Sequence, residues 1–435
     1  MAQKRQMTRR HFIKTLTGAI GAFTIVPRYV LGREGYVPPS EKLHHAIIGV
    51  GGMGMSHVDY VKNDPQRQLI AVCDVDTDHL NKALAKAGNG CAGYRDFREV
   101  LARPDIDVVH IVTPPHWHGL IAVAAAEAGK DIWCEKPMTR TIYEGQKVVE
   151  AVQRNERIFR LNTWFRFRAG FAGGYNTTDG TGAEVRPMRK LVANGLLGWP
   201  LKITINKATG LDWKLDYWAG RTDLIPQPVP ENLDYDMWLG PAPVKPYHPH
   251  RVHASFRGYW DYDGGGLGDM GQHYLDPSQF LLDKDETSPI AVEVETQQQH
   301  PDAVRPWRRV TLKYADGCEI VLDGDNRDKD AAFIEGNKGK IYKDFKSDIP
   351  NLKEKLAELP DLEPVVTDFN EAVRTRKKFA LNEQNGHRSC TLVNMAIIAV
   401  RLGRNLRFDP DRQQFINDDE ANRLIRQPMR APWVM

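Results

Sequence analysis

The chain has 435 residues, 41% hydrophobic and 26% charged, with a formal net charge of +3. That length exceeds the roughly 250–300 residues at which one core stops growing, so two domains are expected, and the composition suggests neither a disordered chain nor a membrane protein. The basicity is confined to residues 1–32, which hold six bases and no acid; the remaining 53 bases against 56 acids give no case for nucleic-acid binding.

In chain order, Thr8-Arg9-Arg10-His11-Phe12-Ile13-Lys14 precedes a short apolar run over 16–26. This looks like a twin-arginine signal, with the export machinery as a partner and a periplasmic or exported location. The run is far shorter than the ~20 residues of a spanning helix, so no stable membrane span is expected. A Pro/Gly linker follows over 33–42. The five cysteines, Cys73, Cys91, Cys134, Cys318 and Cys390, are scattered; they form neither a metal pattern nor a disulfide framework, and no metal is expected.

From 43 to 161, short apolar runs alternate with amphipathic stretches, which predicts a parallel α/β sheet with strands over 45–50, 68–73, 107–112, 131–134 and 157–161. Between the first two lies Gly49-Val50-Gly51-Gly52-Met53-Gly54, and the second ends in Asp74. Gly49 permits the tight turn, Gly51 lets the backbone approach a pyrophosphate, and Gly54 lets the helix pack closely. Asp74 is placed to bond ribose hydroxyls, so a dinucleotide site is expected. With no Arg or Lys beside Asp74 to meet a 2′-phosphate, NAD is favoured and NADP is the alternative.

Past residue 162 the pattern changes. A loop over 170–182 and a helix near 187–194 lead to strand-like segments over 201–208, 290–296, 308–314, 319–322, 332–335 and 340–342. Strands without long helices between them predict an α+β domain over 162–384 with a large, mainly antiparallel open sheet. Amphipathic stretches over 365–376 and 389–403 follow. Residues 385–435 are expected to be a helix and tail, the helix returning to the first domain.

Three groups could carry chemistry. Thr113-Pro114-Pro115-His116-Trp117-His118 follows a strand, beside the cofactor crevice. Glu135-Lys136-Pro137 follows the next, where a lysine suits proton transfer or polarising a hydroxyl. Gly264-Gly265-Gly266-Leu267-Gly268-Asp269-Met270-Gly271-Gln272-His273 is a glycine-rich start to a helix; Asp269 and His273 share a face, so the carboxylate could orient the imidazole.

In this order and spacing these motifs resemble the Gfo/Idh/MocA oxidoreductase family from about residue 42 to the C-terminus. Leu233-Asp234-Tyr235-Asp236-Met237-Trp238-Leu239-Gly240-Pro241-Ala242-Pro243 and Gly403-Arg404-Asn405-Leu406-Arg407-Phe408-Asp409-Pro410 look like stretches of exported Bacteroidetes-like and Planctomycetes-like members. The resemblance implies that Gly49, Gly51, Gly52, Met53, Gly54 and Asp74 hold the dinucleotide. Thr113, Pro114, His118, Glu135 and Asn162 would line the nicotinamide side. Lys136 and His273 would be the proton-handling pair, Asp269 would orient and contact the sugar, and Arg166 would be a substrate contact. Trp260, with Trp164, Trp213, Trp218 and Tyr259, could stack on a sugar. The implied activity is hydride transfer between a sugar or polyol carbon and a tightly bound nicotinamide, in a homo-oligomer. A redox-neutral glycosidase or lyase acting through a 3-keto sugar, and a non-catalytic sugar sensor, are the alternatives.

Overall fold

The computed structural model describes residues 37–163, 165–166, 175–176 and 183–435. The expected leader, Trp164 and most of the loop over 170–182 lie outside the described residues. In the first compact unit, Met1–Lys42, the described part is a 3₁₀ turn at Pro39–Glu41; everything below concerns the second unit, Leu43–Met435.

The first half of that unit runs β1 (Leu43–Ile48), α1 (Gly52–Lys62), β2 (Arg67–Cys73), α2 (Thr77–Ala87), β3 (Ala92–Tyr94), α3 (Phe97–Leu101), β4 (Val108–Ile111), α4 (Pro115–Glu127), β5 (Asp131–Glu135), α5 (Ile142–Arg154) and β6 (Phe159–Asn162). Its sheet is wholly parallel in the order β3-β2-β1-β4-β5-β6. Every residue of β4 and β5 is buried, as strands covered by helices on both faces must be. The order reverses at β1 and β4, and a crevice opens there beyond their carboxyl ends. Side chains fix most helix starts: Asp76 accepts from the N–H of Asp78 and His79, Asp96 from Arg98, and Thr141 from Glu144. Helices α1 and α4 are the exceptions: their N-caps are Gly51 and Pro114, and no side chain caps either.

The second half contains α6 (Arg186–Ala193), β7 (Lys202–Ile205), α7 (Tyr235–Leu239), α8 (Gly266–Leu281), β8 (Ala291–Thr296), β9 (Trp307–Lys313), β10 (Glu319–Asp323), β11 (Ile334–Gly336), β12 (Gly339–Ile341), α9 (Leu352–Glu358), α10 (Phe369–Thr375), α11 (Glu383–Leu402), β13 (Leu406–Asp409), β14 (Gln414–Phe415) and α12 (Asp419–Ile425). The sheet order is β12-β11-β7-β10-β9-β8-β13-β14; the β7–β10 pair is parallel and the rest antiparallel. One face packs Val292, Val310, Leu312, Ile320 and Leu322 against Leu267 and Tyr274 of α8 and Leu392, Val393 and Ile397 of α11. On the other, ion pairs such as Lys313–Glu293 sit in water.

The C-terminal third differs from the expected partition. Strands β13 and β14 extend the large sheet past α11, and α10 returns Phe369, Ala372 and Val373 to the core of the parallel-sheet domain. Helix α11 packs on both α5 and α8. Residues 209–263, for which the sequence pattern predicts no elements, hold α7 and two 3₁₀ turns, Pro249–Arg251 and His253–Gly258.

Candidate active site

The floor of the crevice is set by backbone geometry. Gly49 has φ +87°, and a Cβ there would lie 2.7 Å from the carbonyl of Val112 at the end of β4. A Cβ on Gly54 would stand 2.1 Å from the Gly49 carbonyl oxygen. At Gly52, by contrast, a Cβ would meet nothing within 4 Å. Gly51, Gly52 and Met53 line a cleft of about 360 Å³, into which the uncapped start of α1 points its N–H groups. Open space, free helix-terminal donors and a carboxylate at the neighbouring strand end suit a pyrophosphate and its ribose. Two backbone donors fix the Asp74 carboxylate in that position, Val50 N to Oδ2 at 2.8 Å and Asp76 N to Oδ1 at 2.9 Å.

Around Asp74 the wall is rich in titratable groups. The Asp74 carboxylate, with Oδ2 3.8 Å from His79 Nδ1, raises the His79 imidazole above its usual range against the pull of burial. Asp76, His79 and His253 bring ligand-type atoms within 4.8 Å of one another, the one such group found among the described residues. The Asp76 carboxylate is already engaged as the α2 cap and by Asn232 Nδ2 at 2.9 Å.

At the other end of the cleft stand Thr113, Pro114, Glu135, Lys136 and Asp263. Lys136 Nζ donates to the Asp269 carbonyl at 2.6 Å and to Asp269 Oδ1 at 3.1 Å. Asp269 also accepts from Arg257 Nε at 3.0 Å and Trp218 Nε1 at 2.7 Å. Burial pushes the Asp269 carboxyl up, but Lys136 and Arg257 outweigh it and hold the group well below the usual carboxylate range. Asp263, 2% exposed, accepts from Gly264 N at 2.8 Å, and burial lifts it to about 6 despite Arg257, Arg140 and Lys136. One cleft end therefore presents a fixed ammonium–carboxylate pair beside a carboxyl that titrates near neutrality.

The cover comes from residues 209–263. Met237, Trp238, His253, Phe256 and Arg257 close over the crevice. Backbone bonds stitch this segment to the parallel-sheet domain: Thr77 N donates to Asn232 O at 2.9 Å and Asp234 N to Val75 O at 3.0 Å. His116 Nε2 and Trp117 Nε1 both lie on the Trp238 carbonyl, at 2.9 and 3.1 Å. Gly240, at φ +50°, leaves no room for a Cβ against the Trp117 ring.

Several expected roles need correction. Asp269 and His273 do share a face of α8, but the carboxylate is given over to Lys136, Arg257 and Trp218, three donors from other elements. His273 is buried and outside the cleft lining; burial and then Lys136 hold its imidazole well below the usual range. His118 is also buried, its nitrogens 2.7 Å from the carbonyls of Pro137 and Thr113, so it ties two cleft loops together instead of facing the cleft. Asn162 donates to Glu135 from behind. Arg166 is enclosed by Asp276, at 2.8 Å, and Asp285 and is a structural ion-pair centre, not a substrate contact. Trp260 is 1% exposed, with Nε1 bonded to the His300 carbonyl; Trp213 and Tyr259 are equally buried. Of the described aromatics expected to stack, Trp218 alone reaches the site, through Asp269.

Asp263, Arg257 and His253 belong to the site without having been expected there. Asp263 has a signal in the sequence: it abuts the glycine tract, and a Cβ on Gly268 would fall 1.6 Å from its Oδ1. Arg257 and His253 carry no comparable signal.

A glycine-floored cleft at the switch point of a parallel sheet, closed by an α/β region that brings a carboxylate onto a lysine, is the architecture of a dinucleotide-binding protein. The chain belongs to the Gfo/Idh/MocA family: residues 43–163 match its "Oxidoreductase family, NAD-binding Rossmann fold" and residues 181–435 its "Oxidoreductase family, C-terminal alpha/beta domain". Among curated proteins it is 28% identical over 163 residues to an inositol 2-dehydrogenase of Salmonella typhimurium, covering 37% of this chain and 44% of that protein. It is likewise 28% identical over 176 residues to a glycosyl hydrolase family 109 protein of Shewanella pealeana, covering 35% of this chain and 38% of that one. The chain thus spans under half the length of these relatives. The fold is similar to that of the WlbA dehydrogenase of Chromobacterium violaceum, solved with NADH and UDP-GlcNAcA. There the TM-score is 0.58 at 19% identity, covering 85% of this chain and 96% of that one.

Proposed function

We propose that the protein oxidises a hydroxyl carbon of a sugar, glycoside or polyol, using a nicotinamide dinucleotide held in the cleft. The observation that carries this reading is Lys136, a cleft-lining ammonium fixed by Asp269 at the end where Thr113 and Glu135 stand. The bound nicotinamide would supply the hydride acceptor. Lys136 Nζ would donate to the substrate oxygen and stabilise the charge that develops as its proton leaves, from the position in which the Asp269 ion pair holds it. Asp263, which lines the cleft and which burial lifts to about 6, is the group placed to accept that proton, while His273, buried outside the cleft lining, is kept neutral by burial. Trp218 and Arg257 orient Asp269, and through it Lys136.

The negative field of Asp74 favours NAD over a 2′-phosphorylated cofactor. The stitched cover supports slow release, which suits a protein that the Arg9-Arg10 signal would carry, already loaded, to a periplasm without a nicotinamide pool. The charged outer face of the large sheet is the proposed contact with a second copy, to be tested by sedimentation at low and high salt.

The redox-neutral reading keeps the same site. It is favoured by the relative named as a glycosyl hydrolase and by Asp263, a second acid–base group of the kind elimination and water addition would need. Deuterium from solvent at C2 of the product supports it, and turnover without such exchange would sink it. Lys136→Ala separates either enzyme from a sensor. We expect nicotinamide reduction by a panel of sugars and polyols to fall by about 10²–10⁴ while nucleotide affinity changes little. An unchanged variant would contradict both enzymatic readings.

A further inference from the structure

Under the cleft, three buried histidines run in one hydrogen-bonded file. His57 Nε2 meets Glu135 Oε1 at 2.8 Å, His57 Nδ1 meets His110 Nδ1 at 2.8 Å, and His110 Nε2 meets His45 Nδ1 at 2.8 Å. All three rings are 0% exposed, and Glu135, at the upper end, lines the cleft.

The chemistry of the groups fixes the direction of the file. A carboxylate can only accept, so His57 donates from Nε2 and its Nδ1 accepts. His110 then donates from Nδ1 and accepts at Nε2, and His45 donates from Nδ1. The file ends on His45 Nε2, a buried nitrogen with no hydrogen-bond partner among the described residues. One tautomer per ring satisfies every contact. Running the bonds the other way with Glu135 ionised would require a doubly protonated ring, and would leave a buried N–H at His45 without an acceptor.

The surrounding charges oppose that extra proton. Burial first, then Arg67 and His44, hold His45 well below the usual imidazole range; burial, its neighbouring histidines, Arg67 and Arg160 do the same for His110. The Arg160 guanidinium lies 3.4 Å from the centre of the Trp133 ring, on which His110 stacks at 4.7 Å. At the other end, burial pushes Glu135 up, yet the bonds and charges of His57, Asn162 and Lys136 bring it down to about 2.

We propose that this histidine file is a positioning device that fixes Glu135 as a carboxylate in the cleft, so that the site holds oxidised, cationic nicotinamide more tightly than the reduced, neutral form. The inference rests on the dinucleotide reading above. A single fixed anion within about 10 Å of a cationic ring would be enough to separate the two affinities on the order of tenfold.

The test is the ratio of NADH to NAD⁺ dissociation constants in the full chain. The ratio exceeds one in the parent, falls about tenfold in His57→Leu, and recovers in His57→Gln, whose amide can still donate to Glu135. A folded His57→Leu protein with the parent ratio would overturn the proposal. If that variant fails to fold, ¹⁵N spectra of the parent chain with labelled histidine decide. Protons on Nε2 of His57 and on Nδ1 of His110 and His45, unchanged from about pH 5 to 8, support the file; a doubly protonated ring overturns it. A parent chain that binds neither nucleotide would instead overturn the dinucleotide reading beneath it.

Discussion

On the floor of the cleft, positions are dictated by the main chain: Gly49 and Gly54 are glycines because backbone lies 2.7 and 2.1 Å from where their Cβ atoms would be. On the cover, positions are set by contacts between residues far apart in sequence, Asn232 with Asp76 and Trp238 with His116 and Trp117. The floor meets what every dinucleotide has in common, a pyrophosphate and two riboses. The cover brings Arg257 to the cleft, and with Trp218 it fixes Asp269 at the Lys136 end.

The sharpest way to break this division is at the floor. Gly49→Val forces a β-branched residue into φ +87° and onto the Val112 carbonyl. It should abolish nucleotide binding, and if the protein still folds it should lose several kcal/mol in denaturant titration. Tight binding by this variant would show that the glycines do not set the floor.

Asp263→Asn sharpens the contrast from the side of the cover. Burial lifts the folded-state carboxyl to about 6, above its unfolded value near ~4, so the native state binds more protons between those pH values and Asp263 costs stability as pH rises through them. Near pH ~4 the two proteins should be equally stable. By pH ~7 the asparagine variant should be ahead by up to about 3 kcal/mol, an order-of-magnitude figure read from urea midpoints. A difference independent of pH would remove Asp263 from the titrating groups.

Asp74→Ala tests selectivity: the preference for NAD over NADP should shrink about tenfold in equilibrium titration, with some loss of NAD affinity as Val50 N–H loses its acceptor. The smallest effect is expected from Asn232→Ala, which removes one stitch of the cover. Stability should fall by about 1 kcal/mol and nucleotide release should accelerate a few-fold in stopped flow.

The same division explains what is legible in the sequence. Five of the parallel strands follow from apolar runs, and Gly49, Gly51, Gly54 and Asp74 from the spacing that phosphate binding imposes; the short β3 escapes because its three residues, none of them buried, make no pattern. Lys136 is legible from its place after a buried strand. The Asp269–His273 pairing is misleading because helical spacing says which residues share a face but not which donors arrive from elsewhere. Arg166 and Trp260 mislead for a related reason. A large side chain near a motif suggests a ligand contact, yet Asp276 and His300, distant in the chain, supply the partners that bury them. The cover is illegible because residues 209–263 follow neither a 2- nor a 3.6-residue period. Their order comes from tertiary contacts with the floor they close.

The central claim is that the cleft holds a nicotinamide dinucleotide. Heat-denaturing the purified, natively produced protein and weighing the released nucleotide by mass spectrometry tests it most directly. Near-stoichiometric NAD is the result the account predicts. Protein that releases none, and binds neither NAD nor NADP when each is added back, would contradict it.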